Sequence, residues 1–280
     1  MSWIASGKTG WIAALAVLGT SLLSRGAGAE SLDPQTQDAR KIARAAAERD
    51  DGDRQSARMT MTVVDGSGRK RVRGLVSRRL KFDKGTKLLM MFEEPADMRN
   101  TGFLLLDYKD SKRDDDQWLY LPSLRKTTRI SSSDRSGSFL GSDISYSDML
   151  RPNVDHYEYK LLEASTQVDG EDCWRIEARP RTAKVREETG YVKTEMWISK
   201  KKLVPVQSKM WVRDGKKLKY AKYEEIRNVD GIWSAHKVTV RTVRGGKVDS
   251  TTVLRLSGVK YGDPNVNDSD FTERRLEKGL

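Results

Sequence analysis

Between residues 56 and 256 the chain is written in short runs where apolar and polar residues alternate, each ended by a turn. A period of two matches the strand repeat and no helical repeat, so the chain is held to β architectures. Met59, Met61 and Val63 alternate with Thr60 and Thr62, and Asp65-Gly66-Ser67-Gly68 then turns the chain. Further strands are predicted at 71–76, 87–92, 101–108, 117–121 and 125–130, with a charged tip at 109–116. After an interruption they resume at 156–163, 173–178, 191–199, 204–212, 217–226, 233–243 and 248–256. About a dozen strands at this spacing predict an antiparallel sheet or barrel. No repeat or linker divides them, so residues 30–280 are expected to form a single domain.

Two stretches depart from the pattern. Asp33-Pro34 opens one helix, with Asp33 as N-cap and Pro34 at the first helical position. It is expected to run to about Arg49, with Ile42, Ala43, Ala46 and Ala47 as a narrow apolar stripe, and to stop at Asp50-Asp51-Gly52. The second is the serine-rich interruption at 131–147, with Phe139 and Leu140 as its apolar anchor. It reads as an ordered loop with a helical turn near 147–150.

The N-terminus has the form of an export leader. Lys8 gives a positive start, an apolar stretch runs from Trp11 to Leu23, and Ala27-Gly28-Ala29 offers a small-residue cleavage site before Glu30. The apolar stretch is shorter than the roughly 20 residues a spanning helix needs. Residues 1–29 are therefore expected to be a cleaved signal peptide and the remainder periplasmic. Later apolar runs are broken by charge. Cys173 is the single cysteine, so no intramolecular disulfide can form and the fold must rest on its core. Lying before Trp174 in a predicted strand, it reads as a buried, inert thiol.

The formal charge of +12 falls to +10 once Lys8 and Arg25 leave with the leader. Such an excess favours anionic partners such as lipid headgroups or an acidic protein face. Export argues against nucleic acid, and the basic residues are interleaved with acids, as a solvated β-surface requires. Enzyme chemistry finds little support. The two histidines, His156 and His236, stand alone, no cluster has metal-ligand spacing, and no nucleophile elbow is present. Asp114-Asp115-Asp116 lacks the spacing and glycine of a calcium loop and reads as a hairpin tip. The pairs Glu93-Glu94, Glu187-Glu188 and Glu224-Glu225 are expected to point to opposite faces of strands. No catalytic residue, metal or cofactor is assigned.

The apolar residues are of a distinctive kind. Met59, Met61, Met90 and Met196 lie in predicted strands, as do Phe92, Phe103, Trp118, Tyr120 and Trp211. By residue type alone they read as core, although flexible, polarizable methionine also suits a surface that accepts acyl chains of varied shape.

A resemblance separates these readings. Residues 95–104 (PADMRNTGFL), 114–122 (DDDQWLYLP), 125–131 (RKTTRIS) and 139–149 (FLGSDISYSDM) resemble the outer-membrane lipoprotein-sorting proteins, a LolA-like family. The resemblance implies a half-open, curved antiparallel β-barrel with an N-terminal helix and short helical segments covering its mouth. It also implies an apolar cavity for lipid or lipoprotein acyl chains, an inner-membrane transporter as donor and an outer-membrane acceptor. Met59, Met61, Met90, Phe92, Phe103, Trp118, Tyr120, Met196 and Trp211 become candidate cavity lining. The alternative is an accessory subunit docked on a lipid exporter, its barrel filled by side chains. Gly141-Ser142-Asp143 belongs to the resembling stretch and reads locally as a capped turn.

Overall fold

The computed structural model describes residues 32–110 and 112–279, and the expected signal peptide lies outside the described residues. Thirteen strands form a single sheet: β1 (Arg54–Asp65), β2 (Lys70–Phe82), β3 (Gly85–Glu94), β4 (Gly102–Tyr108), β5 (Asp116–Leu121), β6 (Lys126–Arg129), β7 (Tyr157–Val168), β8 (Glu171–Pro180), β9 (Tyr191–Ser199), β10 (Pro205–Val212), β11 (Lys217–Val229), β12 (Ile232–Arg244) and β13 (Lys247–Tyr261). Each falls on a stretch where the sequence predicts a strand. The order is β6-β5-β4-β3-β2-β1-β13-β12-β11-β10-β9-β8-β7, with every neighbouring pair antiparallel. Strands consecutive in sequence are therefore neighbours, except that β1 pairs with β13 and β6 never meets β7. The fold is a half-open barrel, and residues 130–156 must pass from one free edge of the sheet to the other.

Side-chain alternation sorts the core into layers. On the concave face Met61 and Val63 of β1, Leu75 of β2, Met90 and Phe92 of β3, and Phe103 and Leu105 of β4 form one apolar cluster. On the convex face the intervening residues Leu89, Met91 and Leu104 pack with Leu80 under Val266, Phe271 and Leu276 of the C-terminal segment. β3 is thus buried on both faces, which is why 88–92 is a continuous apolar run. Leu276 lies in the short helix α3 (Glu273–Lys278), capped by Thr272. Gly102 makes this packing possible, since a Cβ there would lie 2.5 Å from Leu276 Cδ1.

The N-terminal helix is shorter than the sequence predicts. α1 spans Ala39–Glu48, and its N-cap is Asp38, which accepts the N–H groups of Arg40 and Lys41. Asp33 instead closes a turn, its carboxylate accepting Gln35 N–H and its carbonyl accepting Thr36 N–H. Pro34 sits at the second position of that turn, where its fixed φ is as well suited as at a helix start. The apolar stripe is as expected: Ala39, Ile42 and Ala43 are buried against Val154, Trp174, Ile176 and Ile198, with Ala46 and Ala47 partly buried beside them. A further helix, α2 (Ala183–Thr189), is capped by Thr182 and carries Glu187 and Glu188, so that pair is helical and not in a strand. The Glu224-Glu225 expectation also changes: Glu225, at φ +51, drops out of the β11–β12 pairing without shifting its register. Glu224 then binds Lys237 while Glu225 binds Arg255, and those two residues are paired neighbours on adjacent strands.

Cys173 is fully buried, and burial pushes its thiol up to about 12. No thiolate forms near neutral pH, as an inert structural cysteine requires.

Candidate functional site

The hollow of the barrel is occupied by the chain itself. Residues 138–150, within the connection from β6 to β7, form a compact tongue against the concave face. Phe139 is wholly buried, 5.2 Å from Phe103 and 5.6 Å from Tyr146 between ring centroids, both in edge-on contact, and 6.2 Å from Phe92. Leu140, Tyr146, Met149 and Leu150 pack around the same cluster. Ile144 plugs the other side, among Tyr191, Met210, Ala221 and Val240. The sequence presents Phe139 and Leu140 as the anchor of this stretch; Ile144, Tyr146 and Met149 share the task.

The tip of the tongue is tightly folded. Ser138 bridges to Ser145, Ser142 N–H donates to the Phe139 carbonyl, and Leu140 and Gly141 take consecutive left-handed conformations, at φ +48 and +72. Glycine suits the second position because left-handed backbone carries no Cβ penalty there. The leucine is the strained residue, and non-glycine residues so held cost on the order of 1–3 kcal/mol.

Two sets of polar contacts oppose that strain. On one side β2 supplies Arg73, whose Nη1 donates to the Leu140 carbonyl at 2.8 Å, and Arg71, which donates to the Gly141 carbonyl at 3.3 Å. On the other, Asp143 accepts hydroxyls from Thr242 of β12 at 2.5 Å and Thr252 of β13 at 2.7 Å, and also from Ser250. Its own N–H donates to Thr252 Oγ1 at 2.8 Å. Thr242 pairs with Ser250 and Val240 with Thr252 across β12 and β13, so the three hydroxyls converge on one inward patch. Asp143 is 4% exposed, and a carboxylate that deep must be satisfied by donors. The turn-capping expected of this segment falls to Ser142, whose Oγ accepts Ile144 N–H, and not to Asp143.

The exit of the tongue has its own anchors. Gln117 Nε2 donates to the Tyr146 carbonyl at 3.0 Å, and the Tyr191 hydroxyl donates to Asp148 at 2.9 Å. Asp107, at the inner end of β4, accepts Arg151 N–H at 3.0 Å. Burial, aided by nearby Asp115, pushes the Asp107 carboxyl up to about 7. The acidic run 114–116 is likewise no free hairpin tip: Asp115 accepts Tyr108 N–H and Asp116 accepts the Tyr108 hydroxyl.

The nine residues proposed from sequence divide three ways. Met61, Met90, Phe92 and Phe103 come together on the concave face, with Met59 packed against them. Met196 is also inward but belongs to the cluster beneath α1. Trp118 and Tyr120 lie on the convex face beneath α3, because their cross-strand partners Leu104 and Gly102 carry that face. Trp211 is convex too, next to inward Met210, with Lys193 and Lys209 ammonium groups 4.0 and 4.5 Å from its ring centre. Arg71, Arg73, Asp143 and its hydroxyl partners are the residues that sequence reasoning missed. The available signal was the inward parity of Thr242, Ser250 and Thr252, three hydroxyl residues where an apolar lining is expected. Two cavities, of about 340 and 430 Å³, open elsewhere. The first reaches only Phe92 of the concave cluster from the rim at 93–100, and the second lies on the convex side around Tyr220, Lys222 and Arg241. Among the described residues no group of three or more His, Cys, Asp or Glu side chains is placed to hold a metal ion, and no helix is long and apolar enough to cross a membrane.

An open barrel whose mouth is covered by its own chain defines the class. A LolA superfamily protein from Nitrosomonas europaea has this fold, with a TM-score of 0.61 at 22% identity over 84% of this chain and 98% of that one. A family model described as an uncharacterized protein matches residues 84–278, and the chain belongs to that family. A DUF1329 family protein from Desulfovibrio piger is 27% identical, covering 87% of this chain and 99% of its own, with a TM-score of 0.77. A Vibrio parahaemolyticus domain named for outer membrane lipoprotein sorting is also 27% identical, covering 85% and 98%, with a TM-score of 0.76. No curated protein matches the sequence.

Two predictions concern the tongue. Asp143→Ala strands the buried hydroxyls of Thr242 and Thr252 and the half-buried one of Ser250 and is expected to lower unfolding stability by about 2–4 kcal/mol, and Thr242→Val by about 1 kcal/mol, in urea titrations. Equal, negligible losses would remove Asp143 as an anchor. Asp107 binds its proton more tightly when folded, at about 7 against the ordinary carboxylate range near 4. Between those values the native state holds more protons, so its contribution to stability is full below pH 4 and is lost as pH rises to 7. Asp107→Asn is expected to flatten that decline and to be more stable than the parent at pH 8 by roughly 2–4 kcal/mol; parallel stability–pH curves would contradict this.

Proposed function

We propose that the protein is a periplasmic carrier that takes lipid or lipoprotein acyl chains into the hollow of its barrel, in the place now held by the tongue. One observation carries this reading. The inner surface formed by Met59, Met61, Met90, Phe92 and Phe103 is covered by irregular chain pinned at a few polar points, and not by a second sheet or a long helix. Methionine-rich walls adapt to occupants of different shape. The family membership and the leader-like residues 8–29 support the same reading, as does a fold shared with proteins named for lipoprotein sorting.

Magnitudes make the exchange feasible. An acyl chain of about 16 carbons gains roughly 12 kcal/mol on leaving water, at about 0.8 kcal/mol per methylene. The tongue buries Phe139 and Ile144 fully, at roughly 1.5–3 kcal/mol each, and Leu140, Tyr146, Met149 and Leu150 in part. The two occupants are of the same order. A carrier needs such a match, since it must load from one membrane and release to another without covalent chemistry. α1, over the β7–β9 end, is the lid in this scheme, and Met196 beneath it extends the lining. An inner-membrane transporter and an outer-membrane acceptor are the implied partners.

The second reading, an accessory subunit with a permanently filled barrel, is favoured by the complete burial of Phe139. Native mass spectrometry with lipid extraction, on protein purified from the periplasmic fraction, separates the two. A bound phospholipid or acylated species in stoichiometric amount is expected, with more loading in Phe139→Ala, which removes the main occupant, and less in Met61→Glu. A clean apo mass that persists after incubation with vesicles and lipopeptides would assign the accessory role.

A further inference from the structure

Arg73 occupies an expensive place for a cation. It is 7% exposed on the inner face of β2, next along that face to Leu75, and its Nη1 lies 3.8 Å from the Met61 sulfur. Among the described residues it forms no ion pair, and its only oxygen acceptor is the Leu140 carbonyl in the tongue. Arg71, the preceding residue on the same face, is exposed, has no carboxylate partner either, and donates to the next carbonyl, that of Gly141. The inward arginine at the other end of β2 is treated differently: Arg79 is paired with Asp51 at 3.0 Å. Burial lowers the pKa of Arg73 and the charge of Arg71 lowers it further, while Asp97, which acts the other way, is exposed and makes no ion pair with it. Two like charges side by side, one of them buried, are poorly served by two backbone carbonyls.

We infer that Arg71 and Arg73 form an anion-recognition site for the cargo, receiving the phosphate or carboxylate of an anionic amphiphile whose acyl chain enters the hollow. The inference rests on the carrier reading. A headgroup held by Arg73 lies at the border of the apolar cluster, since Met61 belongs to that cluster and touches the guanidinium. The planar fork of arginine matches a phosphate or carboxylate, and a second guanidinium beside it adds charge that a carbonyl cannot neutralise. The carbonyls of Leu140 and Gly141 stand where the anion's oxygens bind, so headgroup binding and release of that side of the tongue are a single event. Asp143 does not compete, because its charge is already taken up by three hydroxyls on the far side.

The test is calorimetric titration of the exported protein with three probes: lysophosphatidylglycerol, a monoacylglycerol of the same chain length, and inorganic phosphate. The anionic amphiphile is expected to bind about 10-fold or more tightly than the neutral one, the scale of a charge-assisted contact. Arg71→Gln, at an exposed position, is expected to narrow the gap several-fold, and the double variant with Arg73→Gln to close it, read as the ratio of the two affinities so that a change in tongue stability common to both amphiphiles cancels. Arg73→Lys keeps the charge in a folded protein and is expected to retain part of the preference. Equal affinity for the two amphiphiles, or a gap that survives the double variant, would overturn the anion site and leave the carrier standing. Failure of both amphiphiles to bind would overturn the carrier reading and the site with it. Tight phosphate binding that lysophosphatidylglycerol does not displace would assign the arginines to a free anion and overturn the lipid source.

Discussion

The concave face of a thirteen-stranded sheet left open at both edges carries a large apolar surface that water must not reach, and much else in the molecule follows from how it is covered. Strand order leaves β6 and β7 unpaired with each other, so the connection between them has to cross the hollow. That connection brings Phe139, Leu140, Ile144, Tyr146 and Met149 onto Met61, Met90, Phe92 and Phe103 on one flank and onto Met210 and Val240 on the other. α1 covers the remaining stretch over Trp174 and Ile176. The hydrophobic effect fixes that the hollow is filled. Directional contacts fix by what, through hydroxyls on β12 and β13 that meet Asp143 and arginines on β2 that meet two carbonyls.

These contacts belong to different energetic classes. The apolar packing is non-directional, so a flexible hydrocarbon can substitute for it at similar free energy. The carboxylate clamp at Asp143 is buried and fully donated to, which makes it the firm side of the tongue's tip. The arginine side is asymmetric, offering cationic donors to neutral acceptors. In the proposed exchange it is the arginine side that yields first. On the convex side many charges are paired in ladders such as Arg175 with Glu163 and Glu195, and Lys193 with Glu177 and Glu195, and the apolar patch is covered by the C-terminal segment. The excess positive charge of the chain is thereby spread over a solvated surface, as its interleaving with acids implies.

Local order was readable from the sequence, and spatial relation was not. Alternation such as Met59–Met61–Val63, and short apolar runs bounded by turns such as 88–92, located the strands, because both patterns are written in adjacent residues. The start of α1 was misplaced because Asp33 and Asp38 are both competent N-caps, and Pro34 serves a turn as well as a helix. Alternation also fails to say which face is which. Trp118 and Tyr120 look like Phe103 in their strands, and only the register that sets Phe103 against Leu119 sends them to the other side. Asp143 is the extreme case. Its partners lie 99 to 109 residues away, and nothing near it distinguishes a buried clamp from a capped turn. The resemblance in 139–149 marked this segment as meaningful without saying that it fills the hollow whose lining it helped to suggest.

The central claim is that the tongue and an acyl chain compete for one hollow, and hydrogen–deuterium exchange on the exported protein, with and without saturating lysophosphatidylglycerol, tests it directly. The account predicts that amides of residues 138–150, slow in the free protein, exchange faster by an order of magnitude or more when lipid is bound, while β12 and β13 stay protected. Unchanged or increased protection of 138–150 in a lipid-loaded protein would mean that the tongue is permanent core, and that lipid, where it binds, does so elsewhere.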